Sequence, residues 1–240
     1  MIIAETYSFN DGEAVIARDF PKLLKDVYEV IGIIDAESCR KKDPKGAEQK
    51  RLARIGEDRL YSPIYLNALF DYFLMQRGWE LKPRIYTQDE SREGFREMDF
   101  INGKLGIEVQ FGKYAFLTYD VIAKMVIYKN FGLIDAGIEI CPMACMLPHM
   151  SSGIGAFEQV RWDLDKRGHV SGFDVPVLVL GVATEKALSQ ADHAKPINVQ
   201  TQLCFDSPHE TRGEPRIVRN RVAELKKEII DKVRETGLDV

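Results

Sequence analysis

No run of apolar residues in this 240-residue chain approaches the roughly 20 that a membrane-spanning helix needs. The opening MIIAETYSFND has neither the basic start nor the long apolar stretch of a secretion signal. A cytoplasmic protein with no membrane partner is therefore expected. Cysteine is scarce: of Cys39, Cys141, Cys145 and Cys204, only Cys141 and Cys145 are close together. No second pair or histidine cluster completes a zinc site, so reduced, buried thiols are expected. Histidine is as scarce: His149, His169, His193 and His209 fall in loop-like stretches at no metal-ligand spacing. No strand-Ser-helix elbow announces a serine hydrolase, and His149 beside Ser151 reads as ordinary loop chemistry. There is no phosphate-cradling glycine loop and no internal repeat. Surplus positive charge is also missing. The formal net charge of -4 argues mildly against unspecific attraction to nucleic acid.

What is there belongs to a folded globular chain, 45% hydrophobic and 29% charged. Charge distribution matters more than its sum. The segment Arg40–Arg54, RKKDPKGAEQKRLAR, sets seven basic residues against two acidic ones. It reads as a loop, either solvated or in contact with phosphates, and Lys41 and Lys42 are its candidate contacts. Apolar spacing predicts helices over Pro21–Ile34 and Thr118–Asn130, and another over Ser151–Lys166 entered through a Ser151-Ser152-Gly153 turn. Ser62-Pro63 reads as an N-cap and first helical residue, with Gly78 closing that helix. Strands are expected at Trp79–Ile85, Ala136–Cys141 and Val175–Val182. Residues Ala183–Arg216 read as loops, followed by an amphipathic closing helix over Asn220–Thr236. Helices alternating with strands around an antiparallel hairpin indicate an α/β mixed sheet.

The hairpin is MDFINGKLGIEVQFGKY, Met98–Tyr114. Asn102-Gly103 predicts a two-residue turn that pairs Ile101 with Lys104 and Asp99 with Gly106. Side chains alternate along a strand and paired residues share a face. Asp99, Gly106, Glu108 and Gln110 then lie on one face, and Phe100, Leu105, Ile107, Val109 and Phe111 form the core on the other. Gly106 opposite Asp99 leaves a gap. Two carboxylates and an amide converging there suit a hard divalent cation such as Mg²⁺, although acidic residues on the solvent face of a half-buried strand are also common.

Asp99, eight residues, then Glu108-Val109-Gln110 resembles the motif of the PD-(D/E)XK nucleases, and within them the branch of restriction endonucleases BglII and BstYI. IEVQFGKYAF at Ile107–Phe116 is close to that branch's signature. IDAESCR at Ile34–Arg40, LYSPIYLN at Leu60–Asn67 and MSSGI at Met150–Ile154 resemble BstYI segments, in the same order. The resemblance spans roughly the first 180 residues and weakens beyond Val182. It implies a single endonuclease domain over 1–240, with 183–240 a C-terminal extension or elaboration. Gln110 stands where the general motif has lysine, as in BglII and BstYI, and Met98 stands where a proline usually precedes the aspartate.

The resemblance implies Mg²⁺-dependent hydrolysis of double-stranded DNA by a homodimer at a palindromic GATC-centred site, RGATCY cut before the G, alongside a cognate methyltransferase. Asp99 and Glu108, with the Val109 carbonyl, would hold the metal, and Gln110 would place the attacking water. Asn67 would be an accessory residue. Lys113, Ser151 and Ser152 occupy positions where such enzymes read bases, and the helix beginning near Thr118 is the candidate dimer face. The rival readings are a structure-specific repair or recombination nuclease of the same fold and a catalytically silent DNA-binding module.

Overall fold

A computed structural model describes residues 1–86 and 94–191. Ten strands are present among them: β1 (Ile2–Phe9), β2 (Arg40–Lys42), β3 (Leu60–Tyr61), β4 (Glu80–Leu81), β5 (Arg84–Tyr86), β6 (Phe95–Glu97), β7 (Phe100–Asn102), β8 (Leu105–Val109), β9 (Ala136–Pro142) and β10 (Val177–Ala183). Six of them form one mixed sheet in the order β1-β10-β9-β8-β7-β4. The three central strands, β10, β9 and β8, run parallel; the outer pairings are antiparallel. β9 and β10 are buried along their whole length, as interior strands covered on both faces must be. The short pairs β2-β3 and β5-β6 stand apart.

The helices are α1 (Gly12–Asp19), α2 (Pro21–Ile33), α3 (Ala47–Arg54), α4 (Pro63–Gln76), α5 (Tyr114–Tyr119), α6 (Met125–Asn130), α7 (Phe157–Arg167) and α8 (Glu185–Ala191). A π-helical turn, Asp120–Lys124, joins α5 to α6, so that one continuous helix crosses the sheet. Its position is fixed by packing: a Cβ added at Gly137 of β9 would stand 2.4 Å from the Met125 sulfur. Only glycine admits the helix so close to the strand.

Several expectations need correction. The hairpin turns at Gly103-Lys104, not Asn102-Gly103, and pairs Asn102 with Leu105, Ile101 with Gly106 and Phe100 with Ile107. Gly103 has φ +57° while Lys104 does not have positive φ, so glycine serves the first central position, as a type II′ turn requires. The pairing moves by two residues. Facing is therefore conserved, and one further step of the register sets Asp99 opposite Glu108 rather than Gly106. The gap expected beside Gly106 is filled: the Met98 sulfur lies 2.5 Å from where a Cβ would be.

The strand expected over Trp79–Ile85 breaks at Lys82, whose φ of +56° turns the chain from the main sheet into the β5-β6 pair. Arg40–Arg54 is not a loop; it contributes β2 and α3. The helix expected from Ser151 begins at Phe157, because the residues before it are bound elsewhere: Ile154 bridges to Lys113, and the Ser152 N–H donates to Glu48. The helix expected from Thr118 already begins at Tyr114. α8 occupies the start of the stretch read as loops, and the rest of that stretch and the helix expected over Asn220–Thr236 lie outside the described residues. β1 and α1 were not anticipated.

Candidate active site

Asp99 and Glu108 meet at the open end of β8. The Val109 backbone N–H donates to Asp99 Oδ2 at 2.8 Å, which clamps the aspartate to the strand that carries the glutamate. Glu108 is 2% exposed. Burial first, and then the charge of Asp99, push its carboxyl well above the usual range. Burial likewise raises Asp99, with the Val109 N–H working against it.

Gln110 continues the same face. Its Oε1 accepts the Gly112 N–H at 2.9 Å, and its Nε2 reaches Asp120 Oδ2 at 3.3 Å. The amide is thus oriented from both ends. Asp120 and Lys124 come from the π-helical turn, a feature frequent at functional sites. Lys124 Nζ lies 2.7 Å from Asp120 Oδ1 and 2.9 Å from Glu108 Oε1. Both are short ion pairs, and neither carboxylate oxygen has a hydrogen-bond partner besides Lys124. Burial works against the Lys124 charge, yet Glu108 and then Asp120 raise its pKa above the ordinary value. Burial raises Asp120, opposed by Lys124 and Gln110.

Glu139 completes the group. The parallel register of β8 and β9 pairs it with Glu108. It is fully buried, and neither of its carboxylate oxygens has a hydrogen-bond partner. Burial, then the charges of Asp120 and Glu108, drive its carboxyl well above the usual range. An unpartnered buried carboxylate is costly. Four acidic groups here face one ammonium.

The donor set is therefore all oxygen, surplus in negative charge and incompletely partnered. That is the chemistry a hard divalent cation needs. No group of three or more His, Cys, Asp or Glu side chains is preassembled around one point among the described residues. The fit rests instead on Asp99, Glu108 and the adjoining backbone. On α4, the Asn67 Oδ1 is buried without a hydrogen-bond partner. One turn further along, Asp71 is near enough for its charge to raise Asp99, so this side of α4 borders the site.

A second group of expected residues gathers at one edge. Lys113, exposed, pairs its backbone with Ile154, and the Tyr114 N–H donates to the Gly153 carbonyl. Glu48 of α3 accepts from the Ser152 N–H at 2.9 Å, and Arg51 donates to the Met150 carbonyl. Lys113, Ser151 and Ser152 thus share one surface with the basic segment, where Lys41 and Lys42 are exposed on β2. The Ser151 hydroxyl is buried with no partner.

Comparison with known proteins identifies the family and the fold. A family profile described as "Restriction endonuclease BglII/BglIII" matches residues 4–182. Among solved structures, restriction endonuclease BglII complexed with a DNA 16-mer is similar at a TM-score of 0.60 and 17% identity, covering 75% of this chain and 76% of that one. Free BglII is similar at 0.51 and 18%, covering 75% and 79%. A comparison with curated proteins gave no match.

Proposed function

From a chain that belongs to the BglII/BglIII restriction endonuclease family, and is accordingly a type II site-specific deoxyribonuclease, we infer an enzyme nearest the BstYI type that cuts double-stranded DNA at RGATCY, before the G. The carrying observation is the clamped pair: Asp99 held by the Val109 N–H beside a buried Glu108 that shares its surplus charge.

Asp99 and Glu108, with the Val109 carbonyl, would hold Mg²⁺, which when bound polarises the scissile phosphoryl group and lowers the pKa of water. Gln110 positions the attacking water. Its amide is fixed by Gly112 and Asp120, so the water meets a preset donor and acceptor. Asn67 supports the site from α4.

Lys113 faces the outer base pair. Adenine and guanine both offer N7 as an acceptor in the major groove and differ at the next position. An ammonium has donors only and no rigid fork, so it accepts either purine and disfavours a pyrimidine. Ser151 and Ser152 read edges of the GATC core, and Lys41 and Lys42 neutralise phosphates. A palindromic site calls for a twofold homodimer. The helix from Tyr114 is its candidate face: Thr118 is occupied by Asp163 of α7, but Phe116 is half exposed. The reading carries with it a cytoplasmic location, a cognate methyltransferase, and one endonuclease domain of which 183–240 is the extension.

Digesting a sequenced plasmid with Mg²⁺ and mapping the ends tests this. Cuts at all RGATCY sites and no others are expected. Cuts confined to AGATCT, or to GGATCC, overturn the degenerate site. Cuts set by DNA structure rather than sequence favour a repair nuclease, and specific binding without cutting favours a silent module.

A further inference from the structure

We propose that Lys124 supplies, from the helix, the ammonium that the nuclease motif ordinarily places two residues beyond its glutamate. The inference deepens the nuclease reading above and rests on it. The strand position holds an amide, Gln110, and no cation. The structure brings a cation to the same place by another route. Lys124 Nζ approaches Glu108 Oε1 to 2.9 Å, although 16 residues separate the two in sequence. Its side chain is only 15% exposed. A lysine serving Asp120 alone would not need to reach Glu108.

The linkage to Gln110 is direct. Asp120 accepts the Gln110 amide through Oδ2 and pairs with Lys124 through Oδ1. One carboxylate therefore ties the amide and the ammonium together. The π-helical turn places Asp120 and Lys124 at its two ends, facing the strand. Glu108 and Asp120 occupy two sides of the Lys124 ammonium, which carries three N–H donors, so one is left for a water resting against Gln110. In hydrolysis the water oxygen forms a bond to phosphorus and releases a proton to solvent, the bond from phosphorus to the leaving ester oxygen breaks, and that oxygen takes up a proton from solvent. Lys124 donates to the attacking oxygen and steadies the negative charge that gathers around it.

Lys124→Met, Lys124→Arg and the relocation variant Gln110→Lys/Lys124→Met separate this role from a structural one. Each is assayed as the full chain on a GATC-centred duplex, with Ca²⁺ binding by calorimetry, DNA binding in Ca²⁺ and thermal melting measured alongside. Lys124→Met is expected to lower kcat about a hundredfold or more, with KM and Ca²⁺ binding within about threefold. Moving the lysine to position 110 is expected to recover about tenfold of the loss, which lost packing could not explain. A Lys124→Met protein that cuts at the wild-type rate overturns the inference. So does a loss that relocation leaves unchanged. If Lys124→Met fails to fold, Lys124→Arg decides: unchanged kcat overturns the role, and a fall of about tenfold at constant KM supports it. A wild-type chain that binds but never cuts overturns the nuclease reading, and this inference with it; a cutting wild type matched by Lys124→Met overturns this inference alone.

Discussion

Two clusters of charge among the described residues, one partly exposed and one buried, are built on opposite plans. One joins Arg40, Glu37, Tyr61, His149, Glu57 and Lys186. Arg40 donates to Glu37 at 2.7 Å, to the Tyr61 hydroxyl at 2.7 Å and to His149 Nδ1 at 3.1 Å, and its guanidinium lies 4.0 Å from the Tyr61 ring centroid. Tyr61 donates to Glu37, and Glu57 receives Arg40 and Lys186. Two cations meet two carboxylates. Burial and Arg40 push the His149 pKa down to about 4, so its ring stays neutral and Nδ1 accepts. The other cluster holds Asp99, Glu108, Asp120 and Glu139 against Lys124 alone. The first cluster is balanced in charge, although Glu57 Oε1 lacks a hydrogen-bond partner, and it holds β2, β3 and the residues around His149 together. The second is left negative. A polar network that serves architecture satisfies its own members; one that serves chemistry leaves room for what it binds.

The sharpest way to break this comparison is to damage each cluster and read two quantities. Glu108→Gln, which retains shape, is expected to reduce Mg²⁺-dependent cleavage about a thousandfold, since the residue bears on several kcal/mol of transition-state stabilisation. Its unfolding midpoint should stay level or rise, because a buried like charge is gone. Arg40→Met should do the reverse. It removes the donor to Tyr61, His149 and half-exposed Glu37 while Glu57 keeps Lys186, and is expected to cost about 2 kcal/mol of stability in denaturant titration, while the protein that remains folded still cuts. If Glu108→Gln destabilises as much as Arg40→Met, the two clusters do not differ as described.

A second, smaller test uses pH. An unfolded glutamate releases its proton near 4.5, whereas folded Glu139 holds its proton to higher pH. Over that interval the native state binds more protons than the unfolded one, so stability falls as pH rises above 4.5. Denaturant titrations with chelator between about pH 5 and about pH 7 should show it, and Glu139→Gln should flatten the slope by up to about 1.4 kcal/mol per pH unit. An unchanged slope would mean that Glu139 ionises normally. His149 of the balanced cluster acts in the opposite sense: its pKa, lowered from 6.5 to about 4, makes stability rise with pH up to about 6.5, so the Glu139 contribution is read as the difference between Glu139→Gln and wild type at each pH.

The smallest effect belongs to the exposed lysines of β2. Neutralising Lys41 and Lys42 should weaken binding to every DNA sequence alike, and each lost phosphate contact should flatten the log–log salt dependence by about one unit. A constant slope leaves both lysines in solvent.

How much of this could be read in advance follows from the range of the signals. Asp99, Glu108 and Gln110 were legible because strand alternation is local, and an error of two residues in the turn left their facing intact. Asp120 and Lys124 were not. They occupy the polar positions of a segment read for its apolar stripe, and only the approach of that helix to Gly137 turns them toward Glu108. Glu139 was hidden in an otherwise apolar strand, where the β8-β9 register alone gives it meaning. The basic segment looked like a loop because its order comes from afar, through Glu48 and Arg51 docked on Met150–Ser152. The Arg40–His149 cluster escaped notice for the same reason: its members are joined across more than a hundred residues of chain.

The hydrogen bond from the Gly112 N–H to the Gln110 side chain has a mechanical consequence. Lys113 is the next residue, tied in turn to Ile154 and so to the Ser151-Ser152 loop. Under the function proposed above, the part that would read sequence and the part that would cut are successive links of one backbone, joined at Gly112. Fidelity in such an arrangement needs no relay across the molecule. If Lys113 reads the outer base pair and Gln110 places the water as proposed, a base pair that seats Lys113 badly would drag on the same few bonds that hold the water in line, and an ill-fitting site would be refused at the moment of bond breaking.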